Sequence, residues 1–202
     1  MKTYGQFCGL ARALDHVGDR WTLLIVRELL IEARRYSQIR EALPGVATNL
    51  LADRLRSLEA DGLIWKRPDG TYCLTAFGRR LEGAIHELVR WGAEWMSAGR
   101  GSDQFRPQWL AVALGALLAA ETVGGVEIHA DDEVLHVTDG RVSLGPLERP
   151  DAVIRGSAED ILAVAAGMLP ISALSVRGDS NAVTQLMRRR DNVGSTTTFS
   201  DT

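Results

Sequence analysis

Residues 46–70 read VATNLLADRLRSLEADGLIWKRPDG, and this stretch decides the fold of the N-terminal half. An apolar stripe recurs at helical spacing and comprises Ala47, Leu51, Leu55 and Leu58. The pair Asp61-Gly62 is typical of a helix end. The opposite side of the same helix carries Thr48, Asn49, Ala52, Asp53 and Arg56. The stretch therefore predicts a helix that packs through its leucines and presents a more polar face outward.

The residues around this helix predict a winged helix-turn-helix. Downstream, segments of alternating character flank Pro68-Asp69-Gly70, which is a strong signal for a β-hairpin. Upstream, the spacing of apolar residues predicts three helices, in GLARALDHVG, RWTLLIVRELLIEA and RRYSQIREALPG. Ser37 is a candidate cap for the third helix, and Pro44-Gly45 is its expected end.

After the hairpin, the sequence predicts one long helix over residues 76–99 with Thr75 as its cap. Its apolar stripe comprises Leu81, Ile85, Leu88, Gly92 and Trp95. This stripe is longer than a small winged domain can cover, which favours contact with a partner chain. The segment SAGRGSDQ that follows is typical of a linker.

The second half changes character and predicts an α+β domain with a mostly antiparallel sheet. An apolar helix is expected at about residues 107–121, followed by the alternating segments GGVEIHA, EVLHVTD, RVSLG and AVIRG. Two further helices, SAEDILAVAAG with Ser157 as cap and DSNAVTQLMRR, bracket the short segment ALSVRG. The expected domains are residues 1–100 and 101–193, with a tail at 194–202.

Charge and composition restrict the classes of function. The formal charge of −3 divides into +3 for residues 1–100 (15 basic, 12 acidic) and −6 for residues 101–202 (8 basic, 14 acidic), so the first half is better suited to a polyanion. No phosphate loop, nucleophile elbow or metal-ligand spacing appears, so we expect no enzyme activity, no metal and no cofactor. Two cysteines and the absence of a signal peptide or an apolar run long enough to span a bilayer favour a cytoplasmic protein with no membrane association.

The N-terminal half resembles the HxlR family of bacterial transcription regulators, which are related to MarR-type winged helix proteins. The resemblance is carried by Cys8 and by the segments ALDHVGDRWTLLIVRELL, RRYSQIREALPGVATNLLADRLRSLEADGLI and YCLTAFGRRL. It implies a homodimer that places two recognition helices in successive major grooves of a pseudo-palindromic operator in double-stranded DNA. The wings would touch the flanking backbone or the minor groove.

On this interpretation, the expected DNA contacts come from polar residues of the recognition helix and basic residues of the wing. Thr48 and Asn49 begin the recognition helix, and Asn49 is the candidate for base reading because asparagine can pair bidentately with adenine. Arg54 and Arg56 are the candidates for phosphate or guanine contact. The residues expected to clamp phosphates from the third helix and the wing are Arg34, Arg35, Lys66 and Arg67. Arg54 could instead pair with Asp53 or Glu59, and the four clamp residues could simply be solvated. Asp53 would repel DNA unless it braces an arginine or accepts from a cytosine amine.

The two cysteines, Cys8 and Cys73, have different expected roles. Cys8 is redox-sensing in some relatives of this family, so it is a candidate redox site. A thiol near the start of a helix is also compatible with a small buried hydrophobe. Cys73, on the expected wing strand, is expected to be structural.

Residues 105–190 resemble the sterol-carrier-protein type 2 fold through AVIRGSAEDILAVAAGMLPISALSVRGDSNAVTQLMRR. The resemblance implies an α/β sandwich with an apolar tunnel for a small hydrophobic ligand. The expected lining residues are Trp109, Leu110, Leu114, Leu117, Leu118, Ile161, Leu162, Met168 and Leu169. The same residues are also compatible with a plain hydrophobic core.

Two functions are consistent with these features. One is a dimeric, sequence-specific transcriptional regulator, expected to be a repressor, whose C-terminal domain senses an apolar molecule or extends the dimer. The other is a carrier or enzyme-accessory protein that uses the winged helix only for dimerisation. Salt-dependent binding to a palindromic promoter fragment would favour the first.

Overall fold

The structure is a computed structural model that describes residues 3–98, 101–118 and 124–187. The chain forms two compact units, Met1–Gln104 and Phe105–Thr202. The expected tail at 194–202 and the end of the last predicted helix lie outside the described residues.

The N-terminal unit is a winged helix-turn-helix. Its helices and strands are α1 (Gly9–Val17), α2 (Thr22–Ile31), β1 (Arg34–Arg35), α3 (Tyr36–Ala42), α4 (Thr48–Ala60), β2 (Ile64–Lys66), β3 (Thr71–Leu74), α5 (Ala76–Arg79) and α6 (Glu82–Gly92). Strand β3 lies between β1 and β2, and both neighbours pair with it in the antiparallel sense. This three-stranded sheet is called the wing below.

The core of this unit includes the apolar stripes of α2 and α4. Leu51, Leu55 and Leu58 are buried, as the spacing of the sequence predicts, and they lie with Ile25 and Leu29 of α2 among the buried residues of the unit. Ala47 is not part of the buried stripe, because it is the exposed residue that precedes the first turn of α4. Burying the leucines leaves the other side of α4 exposed to solvent.

The start of α3 differs from the prediction. Arg34 and Arg35 form a strand of the wing instead of the beginning of a helix. Ser37 lies inside α3 and is not its cap. The backbone N–H of Arg35 is satisfied by Oε1 of Gln38 at 2.7 Å, so a side chain within the helix reaches back to its entrance.

The long helix predicted over residues 76–99 is broken. Thr75 does cap a helix, since its hydroxyl accepts a hydrogen bond from the N–H of Gly78 at 3.0 Å. That helix, α5, ends at Arg79, because the N–H groups of Arg80 and Leu81 bond three residues back, to Phe77 and Gly78. Helix α6 then begins at Glu82, and a 3₁₀ segment at Ala93–Ala98 follows it.

In the described part of the C-terminal unit, three helices pack on one face of a five-stranded sheet. Its elements are a 3₁₀ turn (Pro107–Trp109), α7 (Leu110–Leu117), β4 (Val126–Ala130), β5 (Glu133–Thr138), β6 (Arg141–Leu144), β7 (Ala152–Gly156), α8 (Ala158–Ala165), a 3₁₀ turn (Ile171–Ala173), β8 (Ser175–Gly178) and α9 (Ser180–Leu186). The strand order is β6-β5-β4-β7-β8. The β4–β7 pair is parallel, and the other three pairs of the described sheet are antiparallel.

Two aspartates and one serine shape the turns and a helix cap of this unit. Asp131 and Asp139 adopt positive φ angles of 52° and 50° in the two hairpin turns, a conformation that aspartate tolerates better than most residues. Ser157 caps α8 by accepting a hydrogen bond from the N–H of Asp160 at 3.0 Å. Helix α7 is shorter than predicted, because the backbone becomes extended at Leu118.

Within the described residues, no helix combines the length and apolar character needed to cross a membrane. The same residues contain no group of three or more histidine, cysteine, aspartate or glutamate side chains arranged to hold a metal ion.

Candidate DNA-binding surface

The N-terminal end of α4 is open to solvent. Thr48 and Asn49 form its exposed first turn, and the preceding residue, Ala47, has no side chain that can cap it. The first turn also contains no acidic residue. The free N–H groups at a helix start carry a partial positive charge and favour an anion such as a phosphate. This end of α4 therefore offers two short polar side chains and unfilled backbone donors together.

A tyrosine fixes the position of this helix end. The hydroxyl of Tyr36 on α3 donates a hydrogen bond to the carbonyl oxygen of Thr48 at 2.9 Å. The turn between α3 and α4 contains Gly45 at φ +90°, a conformation that favours glycine. The entrance of α4 is thus held by a side chain that hydrophobic spacing does not identify.

The two arginines of α4 have different surroundings. Arg56 is exposed and forms an ion pair with Asp53 one turn earlier, on the solvent side of the helix. Arg54 is half-buried, and its Nε lies 3.4 Å from Oδ1 of Asp19. Asp19 also accepts hydrogen bonds from the N–H groups of Trp21 and Thr22 at the start of α2. Arg54 therefore joins α4 to α2, and Arg56 remains on the outer face.

The wing directs its basic residues to two faces. Residues opposite each other in a sheet share a face, so Arg34, Tyr72 and Lys66 lie on one side. Arg35 and Thr71 lie on the other side. Lys66 has its Nζ 5.4 Å from the centre of the Tyr72 ring. The strand alternation therefore places the adjacent residues Arg34 and Arg35 on opposite faces.

Arg34 lies in a different environment from the expected solvent-facing phosphate clamp. Its side chain is only 10% exposed and lies 3.6 Å from Glu28 and 3.4 Å from Glu32. A buried guanidinium engaged by two carboxylates is poorly placed for a phosphate. Arg35, by contrast, is exposed.

The tip of the wing combines charge with an exposed aromatic ring. The Arg67 guanidinium lies 5.8 Å from the centre of the Trp65 ring, which is exposed. Hydrogen bonds from the Thr71 side chain and backbone, and then the charges of Arg67 and Arg35, lower the pKa of Asp69. The Asp69 carboxylate therefore offsets part of the positive charge at the tip. Trp65 was absent from the residues expected at this surface.

The two cysteines have opposite environments. Cys8 is exposed and occupies the cap position of α1, where the backbone N–H groups of Ala11 and Leu10 lower the pKa of its thiol. Cys73 is buried on β3 and its Sγ lies 3.8 Å from the carbonyl oxygen of Trp65. Of the two thiols, Cys8 is thus the accessible one, and its pKa is lowered.

The residues expected to line an apolar tunnel are dispersed in the C-terminal unit. Leu110, Leu114, Leu118 and Ile161 are buried in one continuous core with the sheet. Leu117 and Leu162 pack against that core and are partly buried. Trp109 is half-buried, and Met168 and Leu169 are exposed, Met168 at 58%. The buried members interdigitate with the sheet, and Met168 and Leu169 belong to the surface.

Comparison with known proteins identifies the N-terminal unit. The family model described as HxlR-like helix-turn-helix matches residues 16–100. The uncharacterised HTH-type transcriptional regulator sll1512 of Synechocystis is 34% identical over 98 residues, which are 46% of this chain and 73% of that protein. YvaP of Bacillus subtilis, named in the same way, is 34% identical over 91 residues, or 42% of this chain and 84% of YvaP.

The chain belongs to the HxlR-like helix-turn-helix family. Rv3095 of Mycobacterium tuberculosis, another uncharacterised HTH-type transcriptional regulator, is 40% identical to this HxlR-family chain over 98 residues, but the match spans only 61% of Rv3095. Among solved structures, quinone-bound YodB of B. subtilis is 28% identical, with 44% of this chain and 99% of YodB covered and a TM-score of 0.41. The family match of this HxlR-family protein lies within its N-terminal unit.

Proposed function

We propose that this HxlR-family protein is a dimeric, sequence-specific DNA-binding regulator of transcription that acts as a repressor. The observation that carries the proposal is the geometry of α4. Its leucines are buried, whereas Thr48 and Asn49 stand exposed at an uncapped helix start. The major groove admits an α-helix, and base edges there are read by short polar side chains at its N-terminal end.

In this proposal the wing supplies contacts to the DNA backbone. Arg35, Lys66 and Arg67 are exposed residues of the wing, with Arg35 on one face of the sheet and Lys66 on the other. Contacts to phosphates set the position of a protein on the duplex and carry no sequence information directly. Arg56 is the further candidate on α4, and its pairing with Asp53 must be exchanged for contact with DNA.

The dimer in this proposal forms through exposed apolar side chains of α1, of α6 and of the 3₁₀ segment that follows α6. These side chains are called the apolar surface. The exposed large side chains of this surface are Leu10, Leu14, Leu88, Trp91 and Trp95. Trp91 and Trp95 are 62% and 64% exposed and contact each other edge to face, with ring centroids 4.5 Å apart. Large aromatic side chains grouped on a surface are typical of protein interfaces. Two copies joined there would present two recognition helices to one operator.

The experiment that tests the function measures binding of the full chain to duplex DNA from its own upstream region. A scrambled duplex of the same composition is the control, and the dissociation constant is measured over a range of salt concentrations. The proposal expects affinity for the upstream duplex to exceed that for the scrambled one and to fall linearly on a log–log plot against salt. Equal affinity for both duplexes would contradict it.

The C-terminal unit is proposed to be a sterol-carrier-like domain that binds a small hydrophobic ligand and modulates DNA binding. Its support is the layer of helices α7, α8 and α9 on one face of the sheet, with apolar side chains between the layers. The close packing of Leu114 and Ile161 means that a ligand must open this interface. Native mass spectrometry of the purified protein tests the subunit count and any co-purified molecule. A monomer without bound molecules would contradict both the dimer and the ligand.

A further inference from the structure

A buried carboxylate lies behind the wing, outside the proposed DNA contacts. Glu28 on α2 has 0% of its surface exposed. Its Oε1 accepts hydrogen bonds from Nη2 and Nε of Arg27 at 2.7 and 3.1 Å, and its Oε2 lies 3.6 Å from Nη1 of Arg34. Arg34 is itself buried, with 8% of the whole residue exposed. Because desolvation offsets much of the attraction in such pairs, they are better suited to fixing a geometry than to adding stability.

The Glu28–Arg34 ion pair bears on the geometry of the wing. Arg34 begins β1 and lies opposite Tyr72 on β3, so its ion pair with Glu28 joins α2 to the wing sheet. Successive side chains of a strand point to opposite faces. With Arg34 held against Glu28, the side chain of Arg35 must point to the other face.

Because Arg34 and Arg35 are adjacent and identical, either arginine is chemically suited to the inner face of β1. A slip of β1 by one residue would exchange the faces of the two arginines. Either arginine has the chemistry to pair with Glu28, so the sequence alone does not select the register. The outward one stands near the wing tip, where Thr71, Arg67 and Arg35 together lower the pKa of Asp69.

We propose that Glu28 and Arg34 are positioning residues that lock the register of β1 and thereby direct Arg35 toward the DNA backbone. The inference rests on the DNA-binding function proposed above. The lock acts through Arg35, so loss of the lock and loss of the Arg35 charge should affect the same phosphate contact.

The test is a comparison of three variants of the full chain on the upstream duplex. Glu28→Gln releases Arg34 while preserving the side-chain shape, Arg35→Gln removes the outward charge, and the double variant combines them. Arg35→Gln should reduce the slope of log affinity against log salt by about one, because Arg34 stays locked inward. The double variant should regain that slope, because β1 is then free to slip and Arg34 takes the outward place. Glu32→Gln, at the exposed partner of Arg34, is the matched control and should not restore the slope when combined with Arg35→Gln.

A double variant whose slope stays as low as that of Arg35→Gln alone would overturn the lock. If the wild type fails to prefer its upstream duplex, the proposed function fails by itself. Amide hydrogen exchange then tests the lock without DNA, since residues 34–36 should exchange faster in Glu28→Gln and residues 64–66 should not. Unchanged exchange at 34–36 would overturn the lock.

Discussion

The hydroxyl of Tyr36 lies 2.9 Å from the carbonyl oxygen of Thr48 and donates a hydrogen bond to it. This bond joins the start of the third helix to the start of the fourth, twelve residues further along the chain. Because Thr48 stands at the exposed end of the recognition helix, the bond fixes the residues that are proposed to meet the bases.

Tyr36→Phe should weaken DNA binding more than it weakens the fold. Loss of one neutral hydrogen bond is expected to lower the free energy of unfolding by about 0.5–1.5 kcal/mol. The dissociation constant for the upstream duplex should rise several-fold, because a helix start that is less well fixed positions Asn49 less well. Urea denaturation and fluorescence anisotropy measure the two effects. An unchanged dissociation constant would show that Tyr36 has no part in positioning α4.

Asn49→Ala and Lys66→Gln should affect binding in different ways. Asn49 is proposed to read a base, so its loss should cost about 1–3 kcal/mol of discrimination and relax specificity at one position of the operator. Lys66 is proposed to meet a phosphate, so its loss should weaken binding to all sequences and reduce the salt slope by about one. Competition binding with single-base operator variants separates the two. The assignment is wrong if Asn49→Ala weakens all duplexes equally.

Leu55→Ala should destabilise the N-terminal unit without changing its surface charge. Leu55 lies in the buried stripe of α4 and is 1% exposed. Leucine-to-alanine changes in a core lower the free energy of unfolding by about 2–5 kcal/mol. Thermal unfolding followed by circular dichroism measures the loss. Ala52→Ser on the less buried side of the same helix is the control, and a comparable loss there would contradict the proposed orientation of α4.

Cys8 should react with iodoacetamide faster than Cys73. The backbone N–H groups of Ala11 and Leu10 lower the pKa of Cys8. At a given pH, a larger fraction of this thiol is therefore ionised than in a cysteine with the ordinary pKa. Cys73 is buried on the wing. Mass spectrometry after timed labelling of the folded protein gives both rates, and Cys8→Ser identifies the fast site. Equal rates would remove Cys8 as a candidate redox site.

Acid should destabilise the C-terminal unit through Glu127. A hydrogen bond with His129 at 2.6 Å, and then one from the N–H of Leu147 at 2.8 Å, lower the pKa of this carboxylate. A carboxylate with a lowered pKa stabilises the fold above its unfolded pKa, and this contribution is lost as the pH falls through the folded value. Urea midpoints measured over acidic pH should therefore decline less steeply in Glu127→Gln than in the wild type. Parallel declines would contradict this assignment.

Hydrophobic spacing and turn residues predict much of the N-terminal unit. The leucines of α4, the hairpin at Pro68-Asp69-Gly70 and the Thr75 cap all follow from local rules that concern neighbouring residues. The break between α5 and α6 does not follow, because both sides of it carry helix-forming residues and the break consists of two backbone hydrogen bonds made three residues back.

The candidate site is only partly predictable for a related reason. Exposure of Thr48, Asn49 and Arg56 follows from the position of the leucine stripe. The pairing of Arg54 with Asp19 and the burial of Arg34 depend on tertiary contacts with α2, so the spacing of charges along the sequence does not contain them. Tyr36 and Trp65 carry no signal of a role, since aromatic residues at such positions are equally typical of a core.

The parallel pair of β4 and β7 has a consequence for how the C-terminal unit assembles. Val126 lies opposite Ala152, so the central pair closes only after β5 and β6 have been synthesised and turned back. Contacts between residues distant in sequence form slowly, because the entropy of closing the intervening chain opposes them. We therefore expect the β4-β5-β6 meander to form first and the docking of β7 to limit the rate, so Ile154→Val should slow refolding at least as much as it speeds unfolding.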